Sequence, residues 1–171
     1  MNILQSVSDN HETNRKNRRV YVIDDDVNVR KSVHFMFRAH GIDVWPFASA
    51  AYFLDQINTL SSSPILLDIR MARMDGLQLL QILKDRGIHW PVVVLTAHGD
   101  ITVAVRAMKL GAIEFLEKPF TPEAIDAAVM QAFDLIDRTE DLLSEREQVR
   151  AIINQLTARE REIVAVLIGG V

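Results

Sequence analysis

One pattern constrains this chain more than any other. Between Arg19 and Leu116, short apolar runs rich in β-branched residues alternate with longer stretches whose apolar residues recur at helical spacing. The runs are Arg19–Ile23, Asp43–Trp45, Pro64–Leu67, Pro91–Leu95 and Ala112–Leu116. Three of the five are almost unbroken in their apolarity, as strands buried on both faces of a parallel sheet must be. Strand followed by helix, five times over, predicts a doubly wound α/β domain with right-handed crossovers and helices on both faces.

The helical stretches carry their own punctuation. Val27 to His40 places Val29, Val33, Met36 and Phe37 at helical spacing, with Gly41 available to stop it. Asp26 is read as its cap. Gly76 to Arg86 carries Leu77, Leu80 and Leu83 and meets Gly87. Asp100 can cap a helix that ends at Gly111, and Thr121–Pro122 is a cap and first-turn pair for the next. That last helix has no glycine or proline from Glu123 until Gly169. Leu135, Leu142, Val149 and Leu156 recur every seven residues along it, the seam of a coiled-coil-like helix. A helix that merely docks on the sheet and then frays is the plainer reading of the same residues. Thr157-Ala158-Arg159-Glu160 has the form of a capping box opening one more short helix, which cannot bury its apolar face alone.

The chain therefore divides into a polar, flexible tail over 1–18, an α/β domain over 19–135, a helical linker over 136–156 with the heptad pattern of a dimer helix, and a further helix over 157–171. A small basic cluster, Arg15, Lys16, Arg18 and Arg19, ends the tail and opens the domain and is read as a solvated arm. Without cysteine, thiolate catalysis and Cys-based zinc sites are excluded, and the five histidines have no metal-motif spacing. A net charge of -4 argues against a chain-wide basic surface for nucleic acid. No apolar run approaches the ~20 residues of a membrane helix, and no signal peptide is evident, so a cytoplasmic protein is expected.

Open α/β sheets bind ligands beyond the carboxyl ends of their strands. There the sequence sets Asp24-Asp25-Asp26 after the first strand, Asp68 after the third, Thr96 after the fourth and Lys118-Pro119 after the fifth. Each alone could be a turn or capping residue. Together, clustered carboxylates repel and call for a cation. A hard divalent ion with oxygen ligands, Mg²⁺ foremost, relieves the repulsion. A carboxylate nucleophile beside such an ion, a hydroxyl and an ammonium makes a phosphoryl-transfer site.

These residues, Val22-Ile23-Asp24-Asp25, Leu67-Asp68, Leu95-Thr96-Ala97 and Lys118-Pro119, resemble in order and spacing the receiver domain of two-component response regulators. Met71, Met74, Gly76 and Leu77 after the aspartate, with Gly111-Ala112 before the fifth strand, agree. Arg70, His98-Gly99-Asp100, Ala107-Met108-Lys109 and Phe115 to Phe120 are closest to the FixJ-like branch. Leu156 to Glu162 resembles the opening of the LuxR-type helix-turn-helix domain that follows in that branch, incomplete here.

The resemblance implies a flavodoxin-like (βα)5 fold with strand order 2-1-3-4-5 and a long C-terminal helical extension. It implies that Asp68 accepts a phosphoryl group from a partner histidine kinase. Asp25, Asp68 and the backbone carbonyl of Arg70 would ligate Mg²⁺, with Asp24 acting mainly through water. Thr96 would hydrogen-bond the phosphoryl group, Lys118 would pair with it, and Phe115 would be the aromatic switch. Arg70 and His98 would flank the acceptor, and the Lys118–Pro119 bond would be cis. Phosphorylation would act through a homodimer to control transcription, DNA being read only by the output domain, with no membrane involved. The protein would be a regulatory phosphoacceptor and not an enzyme in its own right. The family usually has proline four residues after the acceptor, where this chain has Ala72. Two other readings compete: a receiver acting through protein–protein contact, and an aspartate-nucleophile phosphatase. The second needs a carboxylate two residues after its nucleophile, and after Asp68 that residue is Arg70.

Overall fold

A computed structural model describes residues 18–97 and 101–156, together with Arg159, Glu160, Ile163 and Val166. Five strands, β1 (Arg19–Ile23), β2 (Asp43–Phe47), β3 (Ile65–Asp68), β4 (Val92–Thr96) and β5 (Ala112–Glu117), form one parallel sheet in the order 2-1-3-4-5. The helices are α1 (Val27–Arg38), α2 (Ala50–Gln56, continued by a 3-10 turn), α3 (Gly76–Asp85), α4 (Ile101–Lys109) and α5 (Pro122–Gln155).

Alternation along the strands builds two cores. Tyr21, Ile23, Ile65, Leu67, Val92 and Val94 face α2, α3 and α4 through Phe53, Leu79, Leu80, Leu83 and Ala107. Val20, Val22, Leu66, Val93 and Leu95 face α1 and α5 through Val33, Phe37, Ile125, Val129 and Phe133. Both faces of the sheet are therefore covered, which explains why its central strands read as unbroken apolar runs.

Local chemistry fixes the helix ends. The Asp26 carboxylate accepts the Asn28 N–H at 2.7 Å, as its reading as a cap requires. The helix expected to reach His40 stops at Arg38, because His40 and Gly41 N–H groups turn back to the Phe37 and Arg38 carbonyls and Gly41 takes φ +72°. Asp75 and Gln78 form a reciprocal capping box on α3. Helix α2 is capped by the Ser49 hydroxyl accepting the Tyr52 N–H.

The chain separates into two compact units, dividing between Ile136 and Asp137. In the first, α5 buries Ile125, Ala128, Val129, Ala132 and Phe133. In the second, the same unbroken helix exposes Leu142, Leu143, Val149 and Ile152. Among the described residues no helix is long and apolar enough to cross a membrane. The basic cluster at Arg15 and Lys16, the cap at Asp100 and most of the expected helix over 157–171 lie outside the described residues.

Candidate functional site

The site lies at the carboxyl ends of β1, β3, β4 and β5. Parallel pairing fixes its rim: Ile23 is level with Leu67, Asp68 with Leu95, and Thr96 with Glu117. Asp24 follows β1, Asp68 and Thr96 close β3 and β4, and Lys118 follows β5. Because all the strands run the same way, these residues come together from stretches far apart in sequence.

Asp24 is 1% exposed and Asp68 5% exposed, while Asp25 faces solvent. One carboxylate oxygen from each of Asp24, Asp25 and Asp68 lies within 4.8 Å of the others. The Lys118 ammonium donates to Asp24 Oδ2 at 2.7 Å and to Asp68 Oδ1 at 2.9 Å. Asp24 Oδ1 accepts the Asp26 N–H at 2.8 Å, so both Asp24 oxygens are engaged. Arg30 donates to the Asp24 carbonyl at 2.6 Å, tying α1 to the end of β1.

Burial raises the Asp68 pKa above the ordinary 3.8; contact with Lys118 offsets part of this, and the charges of Asp24 and Asp25 add to it. For Lys118, burial works to lower the pKa, but hydrogen bonds and charge from Asp24 and Asp68 outweigh it and raise it above 10.5. The pocket thus holds an ammonium firmly and a carboxylate that burial makes costly to ionise. Three carboxylates with a single cation still carry excess negative charge. Their all-oxygen donor set, partly open to solvent through Asp25, suits a hard divalent cation that keeps some of its waters.

Thr96 is 1% exposed at the end of β4, and its carbonyl accepts the Lys118 N–H at 2.6 Å. The Lys118–Pro119 bond is cis. Phe115 is half-buried, and a β-bulge decides which way it faces. Val92 pairs with Ala112 but Val93 with Glu114, so the register slips at Ile113. Strict alternation would send Phe115 to the side of Ile113; the slip returns it to the core shared with Val94 and α2–α4. Arg70 is exposed two residues beyond Asp68, and His98 lies outside the described residues.

Two contacts of the site are missing from the sequence reading, although Gly76 itself is named there as a helix start and a family signature. Gly76 is pressed onto the strand end: a Cβ there would sit 2.9 Å from Ile69 Cα and 3.2 Å from the Asp68 carbonyl carbon. Its N–H donates to the Ile69 carbonyl at 2.9 Å. Second, the Ala72 backbone N–H donates to Asp25 Oδ2 at 3.1 Å. The Asp75-Gly76-x-Gln78 string could have pointed to the first; nothing local marks the second.

A doubly wound parallel sheet with acidic groups and an ammonium meeting at its carboxyl edge, and Thr96 closing the adjacent strand, defines the class of receiver domains. The response regulator receiver domain family matches residues 20–130, and the chain belongs to that family. The transcriptional regulatory protein FixJ of Azorhizobium caulinodans is 43% identical over 151 residues, which cover 88% of this chain and 72% of FixJ. Among solved structures, response regulator StyR superposes with a TM-score of 0.79 at 35% identity, covering 91% of this chain and 78% of StyR. Full-length FixJ from B. japonicum superposes at 0.69 with 36% identity, covering 90% and 76% respectively. These likenesses place the chain in the FixJ-like branch.

Proposed function

We propose that this chain is the receiver part of a transcriptional response regulator, phosphorylated on Asp68 by a partner histidine kinase in the cytoplasm. The observation that carries the reading is the Lys118 ammonium held between Asp24 and Asp68, with Asp25 completing the acidic pocket.

The reaction needs a nucleophilic oxygen, charge to offset the phosphoryl oxygens, and position. An Asp68 carboxylate oxygen attacks phosphorus as the bond to the donor imidazole breaks. Asp68 is then an acyl phosphate, and the imidazole nitrogen leaves with the bonding pair. Lys118, already in contact with Asp68, turns its ammonium to a phosphoryl oxygen. The Thr96 hydroxyl donates to another, drawing the end of β4 inward and making room for the Phe115 ring. Asp25, Asp68 and the Arg70 carbonyl would hold Mg²⁺, which when bound supplies positive charge against the phosphoryl oxygens. Asp24, with both oxygens already engaged, would reach the ion through water. By the family resemblance, Arg70 and His98 would tune the lifetime of the acyl phosphate. The domain thus takes part in its own phosphorylation and dephosphorylation as a regulatory element.

Ile101, Val105 and Met108 on α4 are exposed apolar residues on the surface that this rearrangement would alter. We read them as a dimerisation surface and the α5 extension as the connection to a DNA-binding output. Intact mass after treatment with acetyl phosphate and Mg²⁺ tests the core claim. Wild type gains one phosphoryl group and Asp68→Asn gains none; equal gain in the two proteins refutes Asp68 as the acceptor.

A further inference from the structure

The loop after the acceptor is held by its own backbone. Gly76 N–H closes it on the Ile69 carbonyl, Met74 N–H bonds the Ala72 carbonyl at 3.0 Å, and Arg73 adopts φ +70°. This turn brings the Ala72 N–H over the pocket, where it donates to Asp25 Oδ2. Asp25 is the exposed member of the three carboxylates, so its side chain has the most rotamer freedom to lose when a cation is bound. Among the described residues, the Ala72 N–H is the donor found on the Asp25 carboxylate.

We propose that the backbone N–H of Ala72 is a positioning group for the divalent-cation site, holding the Asp25 carboxylate in its ligating orientation. The inference rests on the metal site put forward under Proposed function. A carboxylate has two oxygens and about four lone-pair positions, so Oδ2 can accept the amide while the group still offers electrons to a cation. Contacts of this outer kind typically change metal affinity by about 10- to 100-fold when removed. At a solvent-exposed carboxylate the lower end applies.

Position 72 allows a test that separates hydrogen bonding from loop stiffness. Proline has no N–H and stiffens the loop; glycine keeps the N–H and loosens it. Proline is also the usual residue here in the family, so the variant is expected to fold. Mg²⁺ is titrated calorimetrically into wild type, Ala72→Pro and Ala72→Gly, with metal-free thermal stability measured alongside. The Ala72 amide proton is also followed by NMR in wild type and Asp25→Asn. Expected are about tenfold weaker Mg²⁺ binding in Ala72→Pro, binding within about twofold of wild type in Ala72→Gly, and an upfield shift of the Ala72 amide proton in Asp25→Asn. Weaker binding in the glycine variant with unchanged or tighter binding in the proline variant would assign the effect to stiffness and overturn the proposal. An Ala72 amide indifferent to Asp25→Asn would overturn it as well. Absence of Mg²⁺ binding to wild type would instead refute the metal site itself.

Discussion

At the scale of single residues, the site keeps a carboxyl where burial disfavours its charge. The folded state holds a proton on Asp68 more tightly than the unfolded chain, whose carboxyl has the ordinary pKa near 3.8. As pH rises from below that value, the unfolded chain ionises first, so the Asp68 contribution moves against folding. Above the raised folded pKa the cost is present in full. Asp68→Asn removes the charge while its amide oxygen can still accept from Lys118. It should raise stability in urea denaturation at pH 7 by about 1 kcal/mol, and the gain should vanish on acidification below about pH 4. A gain that does not depend on pH would place its origin outside this ionisation. Lys118 has the opposite sign: its raised pKa gives stability that is complete below 10.5 and lost only as pH climbs through the folded value. Lys118→Met leaves Asp24 and Asp68 buried against each other with no cation. It should cost about 3 kcal/mol at pH 7, the low end of values for broken buried pairs because Lys118 is partly solvated. Combined with Asp68→Asn, the loss should be clearly smaller, a coupling read directly from the double-mutant cycle.

At the scale of elements, the start of α3 sets the end of β3, where Asp68 sits. Its capping box fixes the helix entry, and the missing side chain at Gly76 lets that entry lie against the Asp68 and Ile69 backbone. Gly76→Ala places a methyl group against rigid main chain, where no side chain can swing aside. It should destabilise by about 2–3 kcal/mol in denaturant unfolding and also slow phosphorylation from acetyl phosphate, because what it displaces is the strand end carrying Asp68. Asp75→Ala removes only the cap; it should cost about 1 kcal/mol and leave the phosphorylation rate near wild type. These elements also show how far the sequence could be read. Val92 to Leu95 and Ile65 to Leu67 are legible because burial on both faces leaves an unbroken apolar signature. Asp24, Asp68, Thr96 and Lys118 are legible because parallel strands bring their carboxyl ends to one edge. The bulge at Ile113 is not, since a one-residue slip in pairing leaves no mark in composition yet decides which core receives Phe115. Nor is the Ala72 contact, because a backbone N–H is common to every residue type except proline and only the path of the loop gives it a partner.

At the scale of the whole molecule, two separate apolar surfaces call for occupants. In the first unit, α4 presents Ile101 at 79% exposed, with Val105 and Met108 beside it. In the second, α5 runs on to Gln155 with Leu142, Leu143, Val149 and Ile152 exposed. A helix gains little from propensity alone and is held mainly by burying apolar side chains. The heptad spacing of Leu135, Leu142 and Val149 favours a second copy of the same helix over an unrelated partner, because knobs-into-holes packing is self-complementary at that period. The α4 surface has no such repeat but adjoins the elements that phosphorylation would move. The two surfaces therefore make different predictions. Beryllofluoride, acting as a phosphoryl mimic at Asp68, should increase the dimer fraction in sedimentation, and Val105→Asp should abolish that increment without altering the mass gain from acetyl phosphate. Leu142→Asp with Val149→Asp should instead lower the basal dimer fraction and the helical circular dichroism signal together, with or without beryllofluoride. Were the α5 pair to remove only the beryllofluoride-dependent part, α5 would be the switched contact and α4 would lose the role assigned to it. A chain that sediments as a monomer throughout would refute dimerisation through either surface.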